Sequence, residues 1–455
     1  MKKLMLICAP FTSRSGYGDH ARDLFHAFDK TDQFDIKLWD VRWGDCPRNA
    51  LNLENEKDKR ISDCILKNPK TDKQPDVYVD IRIPNEFQTI GKFNIGITAG
   101  VETNAVSQLW IEGCNKMDLI IVPSEHSKRG FVNTVFDKIE NLPNGQRQKV
   151  AEIKLLKPME VLFEGFDEDI YKPTKDIPTE LNDLLNTIEE DFCFLFVGQW
   201  VKGNYGEDRK DIGRMIKVFL ETFSNRKEQP TLVLKTSGAT FSIMDREEIL
   251  KKIKEVKAMF PKDWNLPKIQ LLHGELSDEE MNGLYNHPKI KAMVSFTHGE
   301  GFGRPLLEAT AAKLPVIAPN WSGQADFLNP NYSQLLPGEL KPVPASAVWK
   351  DIVIPESQWF NVDENQAFKF FKNTFENYKE VKNRAGKQYE ENKKFTLDKM
   401  CDGMKDLCDK YLKDLPTQVG LNLPKLKKVS DAPPAIKLPK LKKVSEGAVK
   451  QEVGV

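Results

Sequence analysis

The chain has 455 residues and a mass of 52.0 kDa, and at about 100–200 residues per domain this length predicts two to four domains. It carries 67 Lys+Arg and 67 Asp+Glu, so overall charge gives no argument for a polyanion-binding protein. No run approaches the roughly 18 apolar residues of a membrane span, and the first apolar run is too short for a secretory signal. We therefore predict a cytoplasmic protein.

Seven cysteines are scattered along the chain with no C-x-x-C pair and no histidine at zinc-like spacing. This pattern predicts neither disulfides nor a structural metal site. Cys8 and Cys193 lie in apolar, strand-like runs, where a cysteine is typically a small buried hydrophobe.

Short apolar runs alternate with helical patterns through the first 170 residues. The predicted strands are Leu4–Cys8, Phe34–Trp39, Val77–Ile81, Phe93–Thr98, Leu119–Val122 and Glu160–Phe163. Such alternation favours a parallel sheet with helices on both faces. We predict an α/β, Rossmann-like domain over residues 1–172.

The same alternation restarts after a linker that contains Pro173 and Pro178. Asp211–Phe223 and Asp278–Asn286 have helical spacing. The predicted strands are Phe192–Val197, Leu232–Lys235, Ile269–His273, Ala292–Phe296 and Val316–Ala318. We predict a second doubly wound domain over residues 173–362, and the cleft between the domains is the expected ligand site.

Residues 363–412 have a helical pattern with an apolar stripe that begins at Phe371 and ends at Tyr411. Two helices packed across the domains are expected, with a break near Ala385–Gly386. The aromatic and Met residues of the stripe are interpreted as packing rather than as a cofactor site.

Residues 413–455 are predicted to be a disordered, low-complexity, basic tail. The octapeptide LPKLKKVS occurs at Leu423–Ser430 and again at Leu438–Ser445, and residues 416–455 carry a net charge of +5. Contact with an anionic surface and a solvated tail without a partner are both compatible with this composition.

The segment Ser295–Phe327 carries the clearest chemical pattern. A predicted strand leads into a glycine-rich turn, His298–Gly303, and Pro305 then occupies the first turn of a helix. Backbone N–H groups and the helix dipole at such a place favour an anion such as a diphosphate.

Two carboxylates, Glu300 and Glu308, are eight residues apart in this segment. Both could face one ligand and bind its hydroxyl groups. Alternatively, Glu308 stabilises the helix dipole and Glu300 is a solvent-facing loop residue.

Glu300–Ala309, followed by Leu314–Ala318 and the turn Trp321–Gln324, resembles the nucleotide-sugar motif of retaining GT-B glycosyltransferases of the family-four, glycogen-synthase-like (group 1) type. Further segments follow the order of that family over nearly all of residues 1–412. They are the glycine loop Ser13–Gly18, the acceptor-domain segment Gly100–Thr103, the hinge entry Glu164–Asp167, and Val197-Gly198 with Arg209-Lys210.

The resemblance implies a GT-B fold and transfer of a sugar from a nucleoside-diphosphate sugar, with retention and commonly without a bound metal. It also implies roles for individual residues. By this resemblance Glu300 binds the donor sugar, Glu308 binds the ribose, and Lys210 neutralises the leaving diphosphate. The residues expected around the sugar and the phosphates are Gly301, Phe302, Gly303, Gly16 and Gly18.

The chain departs from the family at two points. Gln199 stands where relatives carry an Arg, so the second cation is expected from Arg209, Lys202 or Lys235. Glu102 stands where many relatives have a histidine, which makes it an acceptor-side candidate.

His20 and His298 adjoin the two glycine loops and are also acceptor-side candidates. A hydrogen bond from either ring to a sugar or phosphate is as well supported by the sequence as a bond to the protein backbone.

Other functions stay open at this point. They are a nucleotide-sugar epimerase or hydrolase and a non-catalytic nucleotide-sugar-binding protein on the same fold. The acceptor is open among nucleic acid, glycolipid and small molecule. The Lys-rich style resembles glycosyltransferases of tailed bacteriophages, some of which modify hydroxymethylated DNA bases, but residues 1–150 carry a net charge of only +1.

Overall fold

The computed structural model describes residues 2–141, 147–201, 203–238 and 240–416. Apart from residues 413–416, the predicted basic tail and both copies of its repeat lie outside the described residues, as does Lys202. Among the described residues, none of the helices combines the length and apolar character that crossing a membrane requires.

The first domain contains a six-stranded parallel sheet. Its elements are β1 (Lys3–Ala9), α1 (Gly16–Lys30), β2 (Phe34–Asp40), α2 (Glu56–Cys64), β3 (Val77–Ile81), β4 (Phe93–Ile97), α3 (Gln108–Lys116), β5 (Leu119–Val122), α4 (Glu125–Asn133), β6 (Phe136–Asn141), β7 (Arg147–Ile153) and β8 (Met159–Val161). The strand order is β2-β1-β3-β4-β5-β8, and every neighbouring pair is parallel.

The second domain contains another six-stranded parallel sheet. Its elements are α5 (Thr179–Asn186), β9 (Cys193–Gln199), α6 (Ile212–Phe223), β10 (Thr231–Ser237), α7 (Ile243–Lys257), β11 (Ile269–Leu272), α8 (Asp278–Asn286), β12 (Ile290–Val294), α9 (Arg304–Ala311), β13 (Val316–Pro319), β14 (Gln334–Leu336), β15 (Gly338–Pro342) and β16 (Gln358–Val362). The order is β11-β10-β9-β12-β13-β14, while β15 and β16 form a separate antiparallel pair.

Both sheets confirm the predicted doubly wound α/β class. In the second sheet β9 lies between β10 and β12, so the chain direction across the sheet reverses at the β9/β12 pair. In open α/β sheets, ligands bind outside the carboxyl ends of the strands at such a reversal. The loop after β9 and the loop after β12 are therefore the expected site, and these loops carry Lys210 and Glu300.

The C-terminal region has three helices, and the prediction of two with a break near Ala385–Gly386 is wrong. The helices are α10 (Glu364–Glu376), α11 (Tyr378–Asn392) and α12 (Leu397–Tyr411). Gly386 is inside α11, because one interior glycine costs a helix only about 1 kcal/mol and the buried side chains of Val381 and Gln388 hold α11 against the second domain.

The apolar stripe is packing, as predicted. Phe371 of α10 packs edge-on against Phe194 of β9 with ring centroids 5.1 Å apart. Met400 and Met404 of α12 belong to the core of the first domain, and α12 lies against α1. Helix α12, which follows the second domain in the chain, therefore packs on the first domain.

Two hairpins, β6–β7 and β15–β16, were not predicted. The residues of β7 are exposed except for Ile153, which is partly buried, and all five residues of β15 are exposed. Strands without a buried face, such as β7 and β15, have no alternation of apolar and polar residues, which is the signal for strands. In β16 four of the five residues are buried, which gives no alternation either.

Candidate functional site

The glycine-rich turn after β12 ends at the N-terminus of α9. Gly303 is the N-cap residue and has a φ of +99°, which favours glycine because a Cβ is strained there. The Glu300 N–H donates to Ser322 Oγ at 3.0 Å, and the Gly323 N–H donates to the Glu300 carbonyl at 3.0 Å. These bonds fix the backbone of the turn.

The same turn contacts the first domain directly. Ser124 Oγ, at the start of α4, donates a hydrogen bond to the Gly301 carbonyl at 2.5 Å. A Cβ at position 301 would lie 1.7 Å from the Ala99 carbonyl oxygen, so only glycine fits there. The turn therefore lies in the interface between the two domains.

A buried ion pair joins the two loops of the second sheet. Lys210 Nζ donates to Glu300 Oε1, and the two side chains are only 12% and 13% exposed. Burial acts to raise the pKa of Glu300, but the charges of Lys210 and Arg209 outweigh it and hold that pKa below its usual value. Burial lowers the pKa of Lys210, and Glu300 opposes this shift.

A second ion pair lies next to the Lys210–Glu300 pair and links the two domains. Arg209 of the second domain donates to Glu102 Oε1 of the first domain at 2.8 Å. The charge of Arg209 also acts on Glu300, so Arg209 and Lys210 form one cationic pair at the carboxyl end of β9. Lys235 instead donates to the Gly274 carbonyl at 2.7 Å, and burial lowers its pKa to about 8.

Glu308 lies in the second turn of α9 and is held by two partners. Arg304 Nε donates to Glu308 Oε1 at 2.9 Å, and the Tyr285 hydroxyl donates to Oε2 at 3.3 Å. Burial raises the pKa of Glu308 to about 7 although Arg304 opposes it. Arg304 also pairs with Asp23 of α1, which is a third contact between the two domains.

The two glycines of the first glycine loop, Ser13–Gly18, have different surroundings. A Cβ at Gly18 would lie 2.2 Å from the Ser13 carbonyl oxygen, so this glycine is needed for packing of the loop. Gly16, the first residue of α1, has no such neighbour within 4 Å. Arg14 in this loop pairs with Glu275 of the second domain at 3.1 Å, so the loop also borders the cleft.

The two histidine candidates are buried, which does not fit direct contact with an acceptor. His298 is fully buried, its Nδ1 bonds the Phe360 carbonyl at 2.7 Å, and its ring stacks on Trp359. His20 is 1% exposed within α1. Burial lowers the pKa of His20 to about 3 and that of His298 to about 4, so both are neutral at pH 7.

The side chain of Phe302 is also buried, against Phe327 with ring centroids 5.1 Å apart. Only the backbone of Phe302 is left for a ligand. Within the described ranges, no group of three or more His, Cys, Asp and Glu is placed to hold a metal ion.

Several residues of the site were missed by the sequence reasoning. Arg304 was missed although it has the i, i+4 spacing of a helical ion pair with the predicted Glu308. Asp23, Tyr285 and Ser124 come from other segments and carried no local signal.

The comparison with known families agrees with this geometry. Residues 208–344 match the model of the family described as glycosyl transferases group 1. The match covers less than half of the chain. The matched segment includes Lys210, Lys235 and the whole of Glu300–Glu308, whereas Gly16 and Glu102 lie outside it. The chain matches no curated protein sequence.

Several solved structures share the fold of this chain over most of its length. Sucrose-phosphate synthase from Thermosynechococcus elongatus has a TM-score of 0.59 and 12% identity, with 90% of this chain and 99% of that chain covered. Anabaena HepE, solved with UDP and glucose, has a TM-score of 0.58 and 12% identity, with 90% and 100% covered. A glycosyltransferase from Rickettsia africae has a TM-score of 0.55 and 13% identity, with 91% and 99% covered. The protein has the GT-B fold.

Proposed function

We propose that the protein transfers a sugar from a nucleoside-diphosphate sugar to an acceptor, with retention of anomeric configuration. The observation that carries the proposal is the buried Lys210–Glu300 pair at the reversal point of the second sheet, next to the glycine turn at Gly301–Gly303. A cation, a carboxylate and a helix N-terminus thus lie together within the segment that matches the group 1 family.

Each of these groups has a task in glycosyl transfer. The bond from the sugar to the diphosphate breaks, and negative charge develops on the departing phosphate oxygen. Lys210 and Arg209 stabilise that charge, because fixed cations in a water-poor site are effective there. Glu300 binds hydroxyl groups of the donor sugar, and the backbone of residues 301–303 holds the diphosphate.

In this proposal Glu308 binds the hydroxyl groups of the donor's ribose. Its two oxygens are oriented by Arg304 and Tyr285, and a carboxylate held in this way accepts hydrogen bonds from vicinal hydroxyl groups. Gly16 leaves open space at the N-terminus of α1, so the phosphates can approach the backbone there. Glu102, beside Arg209, faces the acceptor side.

Donor binding can be tested without knowledge of the acceptor. UDP, GDP, ADP and their glucose conjugates are added separately to the purified full chain, and the thermal midpoint is recorded. A ligand at 100 times its dissociation constant adds about 2.7 kcal/mol to the stability of the folded state. No shift with any nucleoside diphosphate or nucleotide sugar would contradict the proposal.

Retention is tested by the anomer that forms first. With an α-linked donor and water as acceptor, proton NMR is expected to show α-sugar before mutarotation. A β-sugar as first product would contradict retention but leave donor binding intact. Epimerase or hydrolase activity, a non-catalytic role, a DNA acceptor and a phage origin stay predictions.

A further inference from the structure

A cavity of about 860 Å³ opens in the second domain between the N-terminal half of α7, the end of β9 and the segment that joins β15 to β16. Its volume is in the range of small-molecule sites. Its lining shares no residue with the donor and catalytic candidates above. Trp200, Trp349, Met244 and Ile249 supply its apolar wall.

Large apolar side chains at this cavity are exposed to an unusual extent. Met244 is 81% exposed and its neighbour Ile243 is 78% exposed, the two highest values among large apolar side chains of the described residues. Trp349 is 65% exposed. A cluster of exposed apolar groups at the mouth of a cavity marks a binding surface, since isolated ones would need no explanation.

The polar groups of the cavity restrict the class of ligand. Asp245, Glu247 and Glu248 line it together with Lys251 and Lys252, so its charged groups nearly balance and do not favour a polyanion. Carboxylates at the wall also disfavour an acyl chain, because burying a charge against hydrocarbon is costly.

A neutral oligosaccharide fits both features. Sugar rings present C–H groups that pack on the face of an indole, and their hydroxyl groups donate to carboxylates. Asp245 is already engaged, since it accepts from the Gly238 N–H at 2.9 Å and bonds His273 at 2.8 Å. Glu248 pairs with Lys252 at 3.6 Å, and Glu247 is the next carboxylate of the lining.

The cavity is connected to the cleft through the chain. Trp200 follows β9 directly, and its N–H donates to the Ser237 carbonyl at the end of β10 at 2.8 Å. Two residues earlier, a Cβ at Gly198 would lie 3.8 Å from Lys210 Cε. On the other side, the Asn104 N–H donates to the Gln358 carbonyl at 2.9 Å, and the Gln358 N–H donates to the Asn104 side-chain Oδ1 at 2.8 Å. Asn104 is two residues from Glu102.

We propose that this cavity binds a neutral oligosaccharide, anchored on the exposed indole of Trp349.

The test measures saccharide binding apart from catalysis. Labelled full chain is applied to an array of neutral oligosaccharides that includes α- and β-glucans, xylans and chitin fragments, with uridine and phosphatidylglycerol vesicles as separate arms. Trp349→Ala and Met244→Ser are compared with Leu156→Ala, an equally exposed apolar change in the first domain. Donor binding is followed by thermal shift with UDP-glucose, GDP-glucose and ADP-glucose.

We expect at least one oligosaccharide to be retained, and about tenfold or greater weakening in Trp349→Ala with an unchanged donor shift. The inference would be overturned if no saccharide is retained, or if both cavity variants bind saccharide as well as the wild type does. Loss of uridine or vesicle binding in these variants, with saccharide binding unchanged, would overturn it as well. If the donors bind but no saccharide does, the cavity inference fails alone. If a Trp349-dependent saccharide binds but no donor does, the proposed function fails and the binding site stands.

Discussion

At the scale of single residues, the central feature is a pair of charges that compensate each other. Lys210 and Glu300 are both nearly buried, and neither has the solvent exposure to remain charged alone at low cost. A buried pair of this kind is weak evidence for stability, but it keeps a cation and a carboxylate ready at one point. The proposed sugar transfer therefore accounts for a buried pair that stability alone would not favour.

Glu300→Gln and Lys210→Met are each expected to lower donor turnover by about 10²-fold, which is typical for loss of a well-placed polar group where charge develops. Turnover is measured as release of nucleoside diphosphate from the donor. Lys372→Met, an exposed change on α10, is the control. Rates like those of the wild type in both variants would contradict the site assignment.

The Lys210–Glu300 pair also leads to a prediction about the stability of the fold. Lys210→Met alone leaves Glu300 without its partner, which is more costly than removal of both charges. We therefore expect the double variant Lys210→Met/Glu300→Gln to unfold at a higher urea concentration than Lys210→Met. Equal midpoints would mean that the two charges are not coupled.

At the scale of elements, the glycine turn before α9 is held by contacts from both domains. Gly301 lies against the backbone of Ala99, and its carbonyl accepts from Ser124 of α4. The first domain thus helps to set the shape of a loop that belongs to the second.

Gly301→Ala is expected to lower turnover by about 10²-fold, because a displacement of about 1 Å in a positioning loop has a cost of that size. The new methyl group would lie 1.7 Å from the Ala99 oxygen, so loop or domain must move. Unchanged turnover would show that this contact does not control the loop.

Gly386→Ala is the control for Gly301→Ala, because a methyl group at position 386 would have free space. A Cβ at position 386 meets no atom within 4 Å, and the residue is inside α11. We expect a gain of about 0.5–1 kcal/mol in the free energy of unfolding, from the higher helix propensity of alanine. A loss of stability would indicate that α11 is interrupted there, as the sequence pattern had predicted.

At the scale of the whole molecule, burial raises the pKa of acidic side chains from distant parts of the chain. The pKa is about 8 for Glu164 and for Asp211, and about 7 for Glu308. A carboxyl group with a raised folded-state pKa stabilises the fold below its unfolded-state pKa of about 4. This stabilisation is lost progressively as the pH rises from there to the folded-state pKa of about 7 or 8.

Buried histidines and Lys235 limit the pH range over which the free energy of unfolding falls. Burial lowers the pKa of His20, His126 and His298 to about 3–4, so these rings add stability only as the pH rises to about 6.5. Lys235, with a pKa of about 8, adds stability above that pH. Between pH 6.5 and 8 the three carboxyl groups dominate.

We therefore expect the free energy of unfolding to fall from pH 6.5 to pH 8. Glu164→Gln is expected to reduce this slope, while Glu54→Gln, an exposed change, is expected to leave it unchanged. Urea unfolding at fixed ionic strength measures both. A slope of zero, or the same slope in Glu164→Gln, would contradict the burial of an uncharged Glu164.

The sequence predicted those parts of the molecule that have a local signal. The eleven predicted strands coincide with observed strands to within two or three residues at their ends, because buried strands alternate with amphipathic helices. The turn before α9 was also predictable from its glycines and Pro305. The unpredicted strands of β7 and β15 have almost no buried face, and the helix end at Asn377 carries no glycine or proline.

The sequence by itself determined the doubly wound class, the glycine turn and the residue types at the site, since these follow from spacing and propensity within a few residues. Only the tertiary structure decided which groups meet: Arg209 with Glu102, Arg304 with Asp23, and Gly301 with Ala99. It also buried His298 and exposed Trp349. Such pairings depend on how two domains close on each other, and the distances that result are not encoded in any local pattern.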